Sequence, residues 1–152
     1  MTNDLTIDQK KIIARIEDIK NALLELKKIP SQTMESFTAD KNYFYLASYW
    51  LRIAIEGVLT IGTHILSRVP ANGKQKDYTQ IILSLADYGI IPQDFARKIK
   101  GMAGYRNRLV HLYWNVSKEE VLNTLQKELG DFEVFISHIE NFLVRDSSLR
   151  SE

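Results

Sequence analysis

Residues 122–143, LNTLQKELGDFEVFISHIENFL, carry the pattern that decides the fold. Leu122, Leu125, Leu129, Phe132, Ile136, Ile139 and Leu143 recur at steps of three and four, the spacing that lines up side chains on one face of an α-helix. Just upstream, Ser117 followed by Glu120 supplies a capping box. The same reading applies near the N-terminus. Ile12, Ile16, Ile19, Leu23 and Leu26 form one stripe, predicting a first helix with Thr6 and Gln9 as its capping box and Pro30 as its stop.

Between these two stripes the chain stays helical in pattern. Residues 39–68 predict a second helix that is apolar on more than one side, because Tyr45, Leu46, Tyr49, Trp50, Ile53, Ile55, Val58, Leu59 and Ile61 cannot share a face. Such a helix is either central to a bundle or meets a second copy of the chain. Residues 69–76, with Pro70, Asn72 and Gly73, read as a loop. Asp77 with Gln80 opens a third helix through Ala86, and Gly89 stands where a left-handed residue ends it. Pro92 then stands at the first position of a fourth helix marked by Phe95, Ile99, Met102, Leu109 and Tyr113. No run shows two-residue alternation bounded by hairpin turns. The expected architecture is an all-α up-and-down bundle of about five helices: one domain over 1–145, with 146–152 a loose tail.

Composition narrows the chemistry. With 45% apolar and 26% charged residues the chain reads as an ordinary globular domain, and the absence of cysteine excludes disulfides, thiol catalysis and cysteine-ligated metal. The polar N-terminus lacks a secretory signal, so cytoplasm is expected. The apolar stretch 42–67 is interrupted by Arg52, Glu56 and His64 and reads as a buried helix rather than a membrane span. A net charge of +1 conceals an uneven distribution: residues 92–114 hold five cations against one anion, and residues 115–152 hold four against eight. A basic segment of this kind either attracts a phosphate-bearing partner or is simply a solvated helix face.

Catalytic patterns are few. HExxH, Glu-x-x-His, GxxxxGK and GxSxG are all missing, and His64, His111 and His138 fall on three separate predicted helices, so neither a metal nor another cofactor is expected. What remains is GYRNRLVHLYW, residues 104–114. On a continuous helix, Phe95, Ile99, Met102 and Tyr113 lie within about 40° of Arg106. That sets a permanent cation on the apolar stripe, where it needs a partner or a wet cleft. Asn107 and His111, four apart, stack beside it, the more closely if the helix loosens near Val110. Arginine and histidine suit metal-free RNA cleavage, since imidazole moves protons near neutrality and guanidinium stabilises a pentacoordinate phosphorus. Plainer roles stay open. Arg106 could form a buried ion pair with Glu56 or another helix acid, His111 could be a satisfied core histidine, Asn107 a cap, and Tyr113 and Trp114 packing residues.

The run RNRLVHLY, residues 106–113, resembles the R-x4-6-H signature of HEPN domains, in the R-N-x-x-V-H-x-Y form of HepT toxins. LRIAIE at 51–56 and LADYGIIP at 85–92 resemble that family's segments too, so the likeness spans most of 6–142. The resemblance implies a dimeric HEPN-like helical fold and a metal-independent endoribonuclease toxin. It makes Arg106 and His111 the catalytic pair at a dimer cleft and Asn107 their supporting residue. It also implies an MNT-type nucleotidyltransferase antitoxin that transfers AMP to Tyr113. RNA, that antitoxin and a second copy of the chain are the expected partners, with no membrane. The alternative in keeping with the resemblance is a non-catalytic HEPN-like module that binds nucleotides or a partner.

Overall fold

The computed structural model describes residues 7–69, 77–111 and 116–150, and every regular element among them is helical. Helix α1 (Gln9–Lys27) buries the whole predicted stripe, Ile12, Ile16, Ile19, Leu23 and Leu26, together with Ala22. Its cap is Asp8, whose side chain accepts the Lys11 N–H. The Thr6–Gln9 box therefore does not start this helix, and Thr6 itself lies outside the described residues. The Asp8 N–H donates to Nε2 of His64 over 3.1 Å, which ties the start of α1 to the middle of the chain.

A short helix, α2 (Met34–Thr38), follows, unforeseen because five residues are too few for periodicity to register. Thr33 and Ser36 cap it reciprocally, and Phe37 plugs the core. Helix α3 (Asn42–Ser67) is the predicted second helix, and it packs against α1, α2 and most of the later helices. By length and composition α3 could cross a membrane, with mean hydropathy 1.2 in its most apolar window. In this fold 56% of that window is buried inside the bundle. Contact with α1 is close: a Cβ on Gly57 would stand 2.5 Å from Cγ1 of Ile19.

Helix α4 (Tyr78–Asp87) begins at the predicted Asp77–Gln80 box, with both reciprocal bonds formed, and Gly89 adopts φ +72° just beyond it. Of the predicted loop 69–76, residues 70–76 lie outside the described residues. The predicted fourth helix is in fact two, α5 (Gln93–Ile99) and α6 (Met102–Val110), parted at Lys100 and Gly101. Pro92, at φ −65° and ψ 151°, caps α5 from outside rather than opening it. Helix α5 packs on α4 whereas α6 lies on α3, so one straight rod could not follow both surfaces, and glycine gives the bend a weak helix former.

The fifth predicted helix also divides, into α7 (Lys118–Lys127) and α8 (Leu129–Arg150), at Glu128 with φ −120°. Leu122 and Leu125 on α7, and Phe132, Ile136, Ile139 and Leu143 on α8, are buried, with Leu129 partly so. A hydrophobic stripe that stays buried across a bend cannot report the bend. Ser117 accepts the Glu120 N–H as foreseen, but the carboxylate of Glu120 does not return the bond. It is engaged by Arg108 instead.

Two measurements check this packing. Gly57→Val should cost about 1–3 kcal/mol or more in urea unfolding, because Ile19 must give way. His64 accepts a hydrogen bond as a neutral ring, and burial, reinforced by Arg68 and Lys11, holds its pKa below the usual 6.5. The unfolded chain thus binds the extra proton first. The tether is fully present above pH 6.5 and lost as pH falls through the lower folded value, so the protection factor of the Asp8 amide should drop in that direction.

Candidate active site at the end of helix α6

Helix α6 presents its two arginines to opposite sides, since residues two apart differ by about 200°. Arg106 turns toward α3. Its Nε and Nη2 donate to one oxygen of Glu56 at 3.2 and 3.0 Å, and its Nη1 donates to Oδ1 of Asn107 at 3.1 Å. Arg52, one turn before Glu56 on α3, donates to the same Glu56 oxygen at 3.4 Å and lies over the ring of Tyr49. Arg106 and Glu56 each keep 31% side-chain exposure. The plain alternative of a Glu56 partner is therefore real, but the pair is not walled off from water. Nor does Arg106 sit on a dry apolar stripe, because the break at Gly101 puts Phe95 and Ile99 on a different axis.

Arg108 turns the other way. It grips Glu120 with both terminal nitrogens, at 2.7 and 2.5 Å, and covers the ring of Tyr105 at 5.3 Å. Burial pushes the Tyr105 phenol up to about 12, and its oxygen accepts from Thr124 at 3.2 Å. These groups clamp the last turn of α6 to the first turn of α7, on either side of the sequence that follows His111. The hollow beside them, about 350 Å³ and lined by Met102, Tyr105, Arg108, Glu120 and Thr124 among others, does not include Arg106, Asn107 or His111. Sequence reasoning missed this clamp. Its only trace was Glu120, read as a cap.

The α-helix ends at Val110, where the sequence reading allowed for loosening. His111 caps it with φ −113° and ψ 59°, and the residue is exposed, which removes the satisfied-core reading. Asn107 is exposed too, but bonds Arg106 rather than capping a frayed turn. The predicted Tyr113 and its neighbour Trp114 lie outside the described residues. Of the other histidines, His64 anchors Asp8 and His138 packs against Phe95, and no group of three His, Asp or Glu among the described residues is placed to hold a metal ion. Beside the Arg52–Glu56–Arg106 row, α3 exposes Tyr45, Leu46 and Tyr49 at 44–48%.

The profile of the family Ribonuclease HepT-like matches residues 12–139. The chain belongs to that family. Its class of enzyme is thus a ribonuclease. A tRNA nuclease HepT of Aphanizomenon flos-aquae is 26% identical over 144 residues, covering 95% of each chain. An mRNA nuclease HepT of Shewanella oneidensis is 28% identical over 132 residues, covering 85% of this chain and 96% of the relative. The solved structure of a tri-AMPylated Shewanella oneidensis HEPN toxin in complex with MNT antitoxin superposes with a TM-score of 0.73 at 25% identity, over 86% of this chain and 96% of that one. The HEPN-like all-helical fold expected from the motif is the fold observed.

The exposure of the Arg106–Glu56 pair fixes an expectation for stability. Arg106→Ala should cost no more than about 1 kcal/mol in urea unfolding, as half-exposed pairs do. A loss of 3–5 kcal/mol would instead mark a buried structural arginine.

Proposed function

We propose that this HepT-like ribonuclease is a metal-independent endoribonuclease toxin of a HEPN/MNT toxin–antitoxin pair, a single domain over 1–145 that works in the cytoplasm, with Arg106 and His111 as its catalytic residues. The observation that carries the reading is the end of α6: a partly exposed guanidinium bonded to Asn107, and an exposed imidazole where the helix stops. The relatives named as tRNA and mRNA nucleases support RNA as the substrate class.

In this reading, a ribose 2′-hydroxyl attacks the adjacent phosphorus and the bond to the 5′-oxygen breaks. The products are a 2′,3′-cyclic phosphate and a free 5′-hydroxyl. His111 takes the proton from the 2′-oxygen or gives one to the departing 5′-oxygen, and a second copy of the chain supplies the complementary histidine. Arg106 meets the extra negative charge that develops on the phosphorane oxygens. Asn107 holds the guanidinium from the side. The exposed apolar strip of Tyr45, Leu46 and Tyr49 runs from α3 next to this row and supports a homodimer that brings two motifs together.

The antitoxin is an MNT-type nucleotidyltransferase, supported by the complex of the Shewanella toxin with its MNT antitoxin. Its transfer of AMP from a nucleoside triphosphate to the Tyr113 oxygen, with pyrophosphate leaving, adds bulk and a negative phosphodiester two residues from His111. Both effects oppose entry of an RNA phosphate.

Purified protein should cut RNA in excess chelator and leave 2′,3′-cyclic phosphate ends. Arg106→Ala and His111→Ala should each reduce the rate by at least about 10². A strict need for added metal, or intact RNA alongside tight binding of the nucleotidyltransferase, would overturn the reading in favour of another mechanism or of the adaptor role. Intact mass of the chain co-expressed with its antitoxin should show added AMP units that Tyr113→Phe removes.

A further inference from the structure

Arg106 offers five N–H donors. Among the described residues three are taken: Nε and one Nη2 hydrogen by a single oxygen of Glu56, and one Nη1 hydrogen by Asn107. One hydrogen on each terminal nitrogen remains, and guanidinium N–H groups of this kind bond phosphate oxygens. Glu56 in turn is fixed. Arg52 holds the same carboxylate oxygen from one helical turn away, and the neighbouring Gly57 is docked against Ile19, which sets the rotation of α3. The charges on Arg52, Glu56 and Arg106 sum to one positive, so the row still attracts an anion.

We infer that Glu56 is a positioning residue for RNA cleavage, holding the Arg106 guanidinium side-on so that its remaining N–H donors meet the reacting phosphate. The inference rests on the ribonuclease reading above and adds to it a residue outside the motif. Glu56 has two opposed effects. Its negative charge lies beside the incoming phosphodiester and weakens ground-state binding, while the orientation it imposes matters most when a second negative charge develops in the phosphorane. Losing the carboxylate should thus lower KM and kcat together, a split that loss of folded protein does not produce.

The test compares the parent protein with Glu56→Ala and Glu56→Gln on a short RNA in chelator. Glu56→Gln keeps the side-chain volume and an acceptor oxygen, so it keeps the inference open to test if the alanine variant folds poorly. We expect kcat to fall about tenfold or more for alanine and less for glutamine, with KM unchanged or lower in both. A kcat within about twofold of the parent in both variants, or a KM that rises as kcat falls, would overturn the inference. A second readout needs no cleavage: the Arg106 Nε–H resonance in ¹⁵N-arginine-labelled protein, assigned by its loss in Arg106→Lys. It should exchange slowly with water in the parent and quickly in Glu56→Ala. Should the parent cut no RNA, the ribonuclease reading fails by itself, and unchanged Nε–H exchange in Glu56→Ala would overturn the positioning claim separately.

Discussion

The Glu56 carboxylate joins two helices that are distant in sequence, and it does so through Arg106, the arginine of the motif on α6. Helix α6 has only nine residues, too few to be stable in isolation. It is helical because Leu109 and Ala103 are buried in the bundle, and its azimuth is set by two ion pairs on opposite sides, Arg106 to Glu56 and Arg108 to Glu120. Neither pair contributes much stability at such exposure. Their effect is geometric: they decide which way each arginine of Arg106-Asn107-Arg108 points, Arg106 toward α3 and Arg108 toward α7.

Much of this was legible in the sequence wherever burial follows a helical period. The stripes of α1 and of α7 with α8 are buried nearly residue for residue, and the all-round apolar character of α3 matches its central place. Capping chemistry was legible where the partners had no competitor, as at Asp77 and Gln80. It failed at Glu120, whose carboxylate meets a guanidinium twelve residues away, a contact no local pattern encodes. The breaks at Gly101 and Glu128 escaped for a related reason, since a stripe that remains on the core side of a bend keeps its spacing.

The site shows the same division. Spacing placed Arg106, Asn107 and His111 near one another and named Glu56 among the acids that could pair with the arginine. It could not say that the pair stays wet, because exposure depends on how α6 lies across α3. It also treated Arg106 as part of a stripe running back to Phe95, an arrangement that the change of axis at Gly101 abolishes. A rotation computed on an ideal rod holds only as far as the rod does.

The contact of Gly57 with Ile19 lies on the far side of α3 from α6, yet it stands next to Glu56 in the chain. A bulkier side chain there would turn or lift α3 and carry with it the carboxylate that holds Arg106. Substitutions that disturb the motif would then arise in the packing of the first helix as well as in the motif, so the set of positions on which the bearing of Arg106 depends extends well beyond the residues that touch it.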